Sequence, residues 1–259
     1  MNWYEAIILG LIQGFTEFLP VSSSGHMEIG KVLFGINAEE NLYFTIAVHG
    51  ATVLSTLVVF RKEIISLLKN ALKFTINEET IYILKIIVSM IPVGLAGLFL
   101  RARIETLYSG NMVLVGSMLL VTASLLTISH FVRRKEKPVG FIDAFIIGVA
   151  QAIAVIPGIS RSGATISTGM ILGNRKDELA RFSFLMVIIP VIGANIIEFL
   201  EPGAIQNNTA SGVIILGALA AFVSGFLACT WMINLVRRSK LIWFAVYCFV
   251  IGLLILLFG

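Results

Sequence analysis

Six runs of mostly apolar residues, each near the length that a helix needs to cross a bilayer, divide this chain of 259 residues. They cover residues 42–60, 81–100, 111–132, 179–200, 212–235 and 241–258. A helix spans the hydrocarbon core with about 20 apolar residues. Because 58% of the residues are hydrophobic and only 13% are charged, the apolar side chains cannot all be hidden inside a water-soluble domain of this size. The sequence therefore predicts an all-α integral membrane protein with six transmembrane helices, forming a single polytopic membrane domain over residues 1–259.

Two further apolar segments, residues 3–19 and 140–156, have helical periodicity but run into a cluster of Pro, Ser and Gly. Each is followed by a second apolar piece that is too short to cross the membrane. Non-helical backbone is tolerated at membrane depth only where protein or a watery cavity satisfies its hydrogen bonds. We therefore expect two re-entrant helical hairpins, whose breaks line a common cavity.

The two broken segments match each other when the first is laid over the second without gaps. Because Pro20 then aligns one residue after Pro157, the match needs a one-residue adjustment inside the break. These similarities predict two repeats, over about 1–135 and about 139–259. One hairpin plus three spans in each half would give an inverted-topology repeat. The matching pairs are Ala6 with Ala144, Gly10 with Gly148, Gln13 with Gln151, Ser22 with Ser160, Ser24 with Ser162, and Gly25 with Gly163.

Positive charges predict the orientation in the membrane. When loops are assigned to alternate sides, one side collects fifteen Lys and Arg residues, whereas the other has only Lys31, Arg101 and Arg103. Because positive residues are retained in the cytoplasm, the rich side is cytoplasmic. Both termini and the first hairpin are then expected to face outward. Residues 61–75 mix lysines with apolar residues, as in a helix that lies in the inner interface. Since membrane topology accounts for the basic residues, nucleic acid is not expected as a partner.

Two polar residues of the first broken segment share a helix face. Gln13 and Glu17 are four residues apart, and such neighbours lie on one side of a helix. Glu17 is a candidate intramembrane acid that could coordinate a divalent cation, accept a proton from a nucleophile, or balance a positive charge. A site built from oxygen ligands suits Mg²⁺ or Ca²⁺ better than zinc.

The serine clusters, residues 22–24 and 160–162, stand where the caps of the following helices are expected. The first N–H groups of a helix are free and carry partial positive charge, which suits phosphate or carboxylate. These serines either only cap helices or also bind an anion. The residues alone leave both interpretations open.

Arg161 is the one basic residue that the loop assignment places on neither side, because it falls inside the second break. A charge in the bilayer interior is costly unless it is paired or hydrated. Arg161 therefore either forms a structural ion pair with Glu17 or presents its planar fork to phosphate oxygens.

Three histidines occur in the chain. His26 follows Ser23 by three residues, so the two can share a helix face, and we interpret His26 as a proton carrier. His49 and His130 lie in or at the end of ordinary apolar spans without companion polar motifs, and we interpret them as packing or interface residues.

The two polar motifs resemble those of the bacterial undecaprenyl pyrophosphate phosphatases, the bacitracin-resistance family. The first family motif is a Glu or Gln, three residues, a Glu, and then a Ser-rich Gly-His element; here it is Gln13, Glu17 and residues 22–26. The second, Pro-Gly-x-Ser-Arg-Ser-x-x-Thr, is residues 157–165. Many members carry Glu where this chain has Gln13, so Glu17 is expected to carry more of the metal binding.

The resemblance implies hydrolysis of undecaprenyl pyrophosphate to undecaprenyl phosphate and inorganic phosphate, which recycles the lipid carrier for peptidoglycan synthesis. It also implies a divalent cation, and an active site that opens to the outer, periplasmic face of the bacterial inner membrane. Implied catalytic residues are Glu17, Ser23, His26 and Arg161; implied phosphate-binding residues are Ser22, Ser24, Gly25, Ser160, Ser162 and Thr165; implied metal ligands are Glu17 and Gln13. The nucleophile stays open among Ser23, His26 and a water molecule.

Two other classes of protein share part of these features. The type 2 phosphatidic acid phosphatases have superficially similar Ser-Gly-His and Ser-Arg elements, but Ser167 stands where their nucleophilic His is required. A transporter or lipid flippase is the alternative from another class, because inverted repeats with broken helices are a transporter architecture. The sequence does not decide whether the protein forms a homodimer. Gly94 and Gly97 are three rather than four residues apart and therefore form no clear dimerisation stripe.

Overall fold

The computed structural model describes residues 1–36, 42–73, 75, 77–108, 110–132, 136–200, 210–237 and 240–258. These residues are almost entirely helical, and within them the only β-type contact is an isolated bridge between Lys137 and Asn174. The all-α prediction is therefore confirmed. The helices are α1 (Trp3–Phe18), α2 (Ser23–Phe34), α3 (Leu42–Val59), α4 (Arg61–Ala71), α5 (Glu78–Phe99), α6 (Arg101–Leu107), α7 (Met112–Phe131), α8 (Phe141–Ile153), α9 (Arg161–Ile171), α10 (Lys176–Phe199), α11 (Ser211–Arg237) and α12 (Ile242–Phe258).

Among the described residues, four helices are long and apolar enough to cross a membrane: α5, α7, α10 and α11. A fifth span results if α3 and α4, which are bent by 73° relative to each other, are counted together. The sixth predicted span is α12, which has only 17 residues. At about 1.5 Å per residue such a helix is slightly shorter than a hydrocarbon core of about 30 Å. Apolar helices thus occur at every predicted span, and their lengths support four to five crossings of a multi-pass membrane protein.

The bend after α3 creates an amphipathic helix. α4 occupies most of the segment 61–75 and exposes Ile65 and Leu68 together with the basic residues Lys62 and Lys69. Apolar and basic side chains on the surface of one short helix are typical of a helix that lies in a membrane interface.

The helices α1 and α8, which open the two broken segments, start in the same way. The Asn2 N–H donates to Glu5 Oε2 at 2.7 Å, and the Gly140 N–H donates to Asp143 Oδ2 at 3.0 Å. In both helices an acidic residue of the first turn thus accepts from the backbone of the N-cap, which satisfies a donor that has no partner inside the helix. Asn2 aligns with Gly140 when the two segments are overlaid, and Glu5 aligns with Asp143.

The second helix of each hairpin is also capped in the same way. Ser22 Oγ accepts from the Gly25 N–H at 3.2 Å, and Ser160 Oγ accepts from the Gly163 N–H at 3.0 Å. The breaks cover residues 19–22 and 154–160, and each one ends at the capping serine. Sequence-related residues thus build both hairpins from the same local hydrogen bonds.

The two hairpins pack against different helices through aligned glycines. α1 packs mainly on α11, whereas α8 packs mainly on α5. A Cβ at Gly10 would clash with the carbonyl oxygen of Gly217, and a Cβ at Gly148 would clash with that of Ser89. Glycine is therefore required at both positions, because the neighbouring helix backbone occupies the space of a side chain.

The two breaks meet in the interior, and their contacts are reciprocal. A Cβ at Gly25 would lie 3.3 Å from Cα of Gly158, and a Cβ at Gly163 would lie 3.3 Å from Cβ of Pro20. In the gap-free overlay of the two segments, Gly163 aligns with Gly25, and Gly158 aligns with Pro20. Each helix start therefore approaches the break of the other hairpin.

Helices α7 and α12 support these breaks. Thr122 Oγ1 on α7 donates to the carbonyl oxygen of Gly158 at 3.2 Å, and the Cys248 thiol on α12 donates to that of Pro20 at 3.5 Å. Both carbonyls lie outside regular helices and would otherwise need water or another partner.

Candidate active site

The carboxylate of Glu17, at the end of α1, contacts residues of both motifs. Its Oε2 accepts a hydrogen bond from Ser23 Oγ at 2.7 Å and another from Gln13 Nε2 at 3.0 Å. Its Oε1 lies 3.8 Å from Nη2 of Arg161. Residues from opposite halves of the sequence thus share one carboxylate.

The turn between α1 and α2 directs Ser23 back towards Glu17. Ser22 has a φ of 71°, a backbone conformation that is uncommon for residues other than glycine and persists only where surroundings hold it. Its hydroxyl accepts from the Gly25 N–H, and its carbonyl accepts from the His26 N–H at 3.1 Å. These bonds stabilise the turn, and Ser23 becomes the first residue of α2.

Arg161 is the first residue of α9, directly after its N-cap Ser160. Its side chain is 31% exposed, whereas that of Glu17 is 11% exposed. The guanidinium is therefore paired only loosely with the carboxylate, and part of its surface is open to a ligand.

Glu17, Arg161 and Ser162 border a narrow pocket with a cavity volume of only about 20 Å³, part of which is open to the outside. Helices α3 and α10 form its walls. The wall residues with a hydroxyl group are Thr52, Thr56 and Ser183, and the apolar ones are Phe18, Val53, Phe184, Val187, Ile188 and Val191. Charged groups at one end and apolar walls beside them suit an amphiphile with an anionic head group.

Several of the predicted phosphate-binding hydroxyls have partners within the protein. Ser22 and Ser160 cap α2 and α9. Ser24 Oγ lies 3.3 Å from Ser22 Oγ. In the second hairpin Ser162 Oγ has the equivalent 3.3 Å contact with Ser160 Oγ and also donates to the Leu19 carbonyl at 3.2 Å. These serines therefore stabilise the breaks, and Ser162 also faces the pocket.

Thr165 lies one turn further along α9 and is buried. Its Oγ1 is 2.6 Å from Ser183 Oγ and also donates to the Arg161 carbonyl at 2.9 Å. Thr165 thus connects the start of α9 to α10, and its neighbour Ser183, which sequence reasoning did not single out, lines the pocket.

His26 has partners on both ring nitrogens. Its Nδ1 is 2.8 Å from the Ser22 carbonyl, and its Nε2 is 2.8 Å from the hydroxyl of Tyr247 on α12. The His26 and Tyr247 rings are also stacked, with centroids 5.6 Å apart. Tyr247 was missed from the sequence because it belongs to an ordinary apolar run 221 residues away.

His49 differs from the interpretation as a simple packing residue. It lies on α3, where its Nδ1 is 2.9 Å from the Thr45 carbonyl oxygen, and α3 packs beside α1, which carries Glu17. It also lies one turn before Thr52, which lines the pocket. No local pattern in the sequence indicates this packing, because Glu17 is on another helix. His130, at the end of α7, packs edge-on against Phe131.

The two aligned segments do not carry the same chemical groups in the site. In the overlay of the two segments, Val155 takes the place of Glu17 and Ala164 that of His26. Ser23 and Arg161 occupy equivalent positions. The first hairpin therefore supplies the acid and the hydroxyl, and the second supplies the cation.

The residues present fit a divalent cation only in part. No group of three or more His, Cys, Asp or Glu side chains comes together among the residues that the structure describes. Gln13 Oε1, however, is buried without a hydrogen-bond partner, and Gln13 lies next to the Glu17 carboxylate. Mg²⁺ is commonly held by one or two protein oxygens together with substrate phosphates and water. The pair Gln13 and Glu17 is compatible with that arrangement.

Known proteins share the sequence of almost the whole chain. The sequence pattern of the family described as bacitracin resistance protein BacA matches residues 6–254. A protein of Bacteroides fragilis named undecaprenyl-diphosphatase is 52% identical, over 97% of this chain and 96% of its own length. Proteins of the same name from Bacteroides thetaiotaomicron and Oceanobacillus iheyensis are 51% and 36% identical, with coverage of 99% and 97% of this chain and of 99% and 94% of their own lengths.

Proposed function

Because this chain belongs to the family of the bacitracin resistance protein BacA, we infer that it is an undecaprenyl-diphosphatase. It hydrolyses undecaprenyl pyrophosphate to undecaprenyl phosphate and inorganic phosphate, and this activity serves cell-wall synthesis. The observation that carries the mechanism is the Glu17 carboxylate, which accepts from Ser23 Oγ at 2.7 Å and lies 3.8 Å from Arg161. A nucleophile and a cation thereby meet at one base, the Glu17 carboxylate, which together with Arg161 borders the pocket.

In the first step, Ser23 Oγ attacks the terminal phosphorus and gives its proton to Glu17. The bond from phosphorus to the bridging oxygen breaks, and undecaprenyl phosphate leaves with the electron pair. The 2.7 Å bond between Ser23 and Glu17 supports this assignment, since a hydroxyl nucleophile is activated by a base within hydrogen-bond reach. The second ring nitrogen of His26 is already engaged by Tyr247, which favours Ser23 over His26 as the attacking group.

In the second step, a water molecule attacks the phosphoserine. Its oxygen bonds to phosphorus, one of its protons goes to Ser23 Oγ as the phosphoserine bond breaks, and inorganic phosphate is released. Glu17 then gives up the proton that it accepted from Ser23, and His26 carries that proton away. The bond of His26 to the carbonyl of Ser22, the neighbour of the nucleophile, supports this role.

Arg161 holds the phosphate oxygens with its planar fork. The start of α9 adds partial positive charge beside it, because the first N–H groups of a helix are free. Ser162 faces the pocket next to Arg161. Phosphoryl transfer depends mainly on positioning and on stabilisation of the developing charge, and these groups supply both.

We propose Mg²⁺ or Ca²⁺ as the cofactor, held by Glu17 and Gln13. The unpartnered Gln13 Oε1 supports this assignment. A bound cation would neutralise charge on the diphosphate oxygens.

The full architecture that we propose has six spans and two re-entrant hairpins, arranged as an inverted repeat over about 1–135 and about 139–259. Two observations support it: the common capping of the two hairpins and the reciprocal contacts of Gly25 with Gly158 and of Gly163 with Pro20. The loop charges support both termini outward and an active site that opens to the periplasmic face of the inner membrane.

The decisive experiment uses purified protein in detergent micelles and undecaprenyl pyrophosphate labelled at its terminal phosphorus. Release of labelled phosphate without any membrane gradient supports the enzyme, whereas gradient-driven lipid movement without release supports a flippase. Rapid quenching with denaturing detergent at mildly alkaline pH, where both phosphoserine and phosphohistidine survive, followed by peptide mapping should place the label on Ser23. Label on His26, or turnover without any trapped label, contradicts the serine mechanism.

A further inference from the structure

The hydroxyl of Tyr247 on α12 is 2.8 Å from Nε2 of His26, although no part of either motif lies on α12. The rings are nearly parallel, with an interplanar angle of 14° and centroids 5.6 Å apart. The imidazole is therefore fixed both by a hydrogen bond and by the face of an aromatic ring.

The partner of the other nitrogen determines the tautomer of His26. Nδ1 is 2.8 Å from the backbone carbonyl oxygen of Ser22, and a carbonyl can only accept a hydrogen bond. Nδ1 must therefore carry a proton. In the neutral imidazole Nε2 then has the lone pair, and the Tyr247 hydroxyl donates to it.

A hydroxyl is well suited to a group that changes its charge. Tyr247 can donate to Nε2 of the neutral imidazole and can accept from the N–H of the protonated form. The ring orientation is thus satisfied in both protonation states. Without this partner, Nε2 would lose its hydrogen bond to the protein, and only the bond of Nδ1 to the Ser22 carbonyl would hold the ring.

The same helix supports the adjoining break, since the Cys248 thiol contacts the Pro20 carbonyl. Tyr247 and Cys248 are neighbours on α12, so this short stretch contacts the first hairpin both before and after Ser22. The position of Tyr247 is therefore coupled to the turn that aims Ser23 at Glu17.

We propose that Tyr247 is a positioning residue: its hydroxyl fixes the orientation of the His26 imidazole, whose Nδ1 is protonated because it faces the Ser22 carbonyl, and it stays the partner of Nε2 before and after that nitrogen takes up the proton of the reaction. This inference rests on the proposed function of His26 as the proton carrier. It assigns a role in the reaction to α12, which lies outside both motifs.

The test is a double-mutant cycle in the phosphate-release assay. Tyr247→Phe keeps the ring but removes the hydroxyl, and we expect kcat to fall about tenfold with KM changed less than about twofold. In a His26→Gln background the same substitution should have no further effect, because Tyr247 acts through His26. Tyr43→Phe is the matched control, since Tyr43 packs edge-on against Phe199 instead, and it should keep wild-type turnover.

A kcat of Tyr247→Phe within twofold of the wild type overturns the inference, as does an equal loss with and without His26. These outcomes differ from failure of the proposed function, in which the wild-type protein itself releases no phosphate.

A second measurement needs no turnover and compares the wild type with Tyr247→Phe. Nitrogen-15 NMR of histidine-labelled protein, with the His26 signals assigned by their loss in His26→Gln, should show a protonated Nδ1 and an unprotonated Nε2 in the neutral ring, and the Nε2 signal should shift in Tyr247→Phe. An Nε2 signal that is the same in both proteins overturns the inference, as does the opposite tautomer in the wild type.

Discussion

Ser23 Oγ donates to Glu17 Oε2 at 2.7 Å across the break between α1 and α2. The two residues are six positions apart, and the unusual backbone of Ser22 brings them together. The bond aligns a hydroxyl with the group that is to take its proton, so removal of either partner should affect chemistry more than binding.

We therefore expect Ser23→Ala and Glu17→Gln each to lower kcat by about 100-fold or more, which is typical of losing a nucleophile or a general base. Phosphate release by purified variants measures this. Ser117→Ala is the control, because the Ser117 hydroxyl only donates to the Val113 carbonyl on its own helix. A Ser23→Ala variant with at least one tenth of wild-type kcat would exclude Ser23 as the nucleophile.

Arg161→Lys should not rescue the loss caused by Arg161→Ala. Both variants are expected to have kcat/KM at least about 100-fold below the wild type, because an ammonium group cannot reproduce the bidentate fork of a guanidinium. Substrate titrations of the two variants side by side test this. Near-normal kcat/KM in the Lys variant would show that a point charge suffices. Arg161 would then not be a bidentate phosphate ligand.

Chelation of divalent cations should abolish turnover, and added Mg²⁺ or Ca²⁺ should restore it. Gln13→Glu should lower the cation concentration for half-maximal activity, because a second carboxylate strengthens an oxygen site for a hard cation. Gln13→Ala should raise it. Identical cation dependence in wild type and both variants would exclude position 13 from metal binding.

Asp143→Ala should lower the free energy of unfolding by about 2 to 3 kcal/mol, because it leaves several donors without their acceptor. Asp143 accepts from Lys137 Nζ at 2.9 Å, from Asn174 Nδ2 at 2.9 Å and from the Gly140 N–H at 3.0 Å. Denaturant unfolding in detergent measures the change. Glu5→Ala removes the aligned residue of α1, which is more exposed, and should lower the free energy of unfolding by less. Equal losses would show that the bonds of Asp143 to Lys137 and Asn174 add no stability.

Gly10→Ala and Gly148→Ala should each destabilise the protein by about 1 to 3 kcal/mol, the usual cost of overpacking a tight contact. In both cases the added methyl group meets the carbonyl oxygen of a neighbouring helix. Gly94→Ala is the control, because a Cβ there has no atom within 4 Å and alanine favours the helix. Unfolding midpoints of the three variants rank the effects. If all three are alike, the glycine contacts do not limit the packing of α1 and α8.

The positions of the helices could largely be predicted from the sequence. The predicted spans 81–100 and 111–132 correspond to α5 (Glu78–Phe99) and α7 (Met112–Phe131), and the broken segment 3–19 corresponds to α1 (Trp3–Phe18). Apolar runs determine these elements locally, because in lipid the backbone must form its hydrogen bonds within the segment. The short helix α6 after α5 was not predicted, since its Arg-rich sequence has no apolar periodicity.

Contacts between distant residues were harder to predict. The shared helix face of Gln13 and Glu17 follows from local spacing, whereas the contact of Ser23 with Glu17 depends on the turn at Ser22. By contrast, the partners Tyr247 of His26 and Ser183 of Thr165 sit in apolar helices without a polar pattern. The position of His49 relative to Glu17 likewise depends on how α3 packs beside α1. Such contacts are products of tertiary packing, and a single sequence carries no local signal for them.

If Arg161 binds the diphosphate as proposed, its loose pairing with Glu17 means that the incoming diphosphate competes with an anion that is already part of the protein. Without a ligand the two charges compensate each other, so the guanidinium is never left alone in hydrocarbon. A strongly charged head group would displace Glu17 Oε1 from the arginine, while Oε2 keeps its hydrogen bond to Ser23. Undecaprenyl phosphate carries less charge than undecaprenyl pyrophosphate and therefore competes less well with Glu17 for Arg161, which favours its release. Arg161 and Glu17 then neutralise each other again.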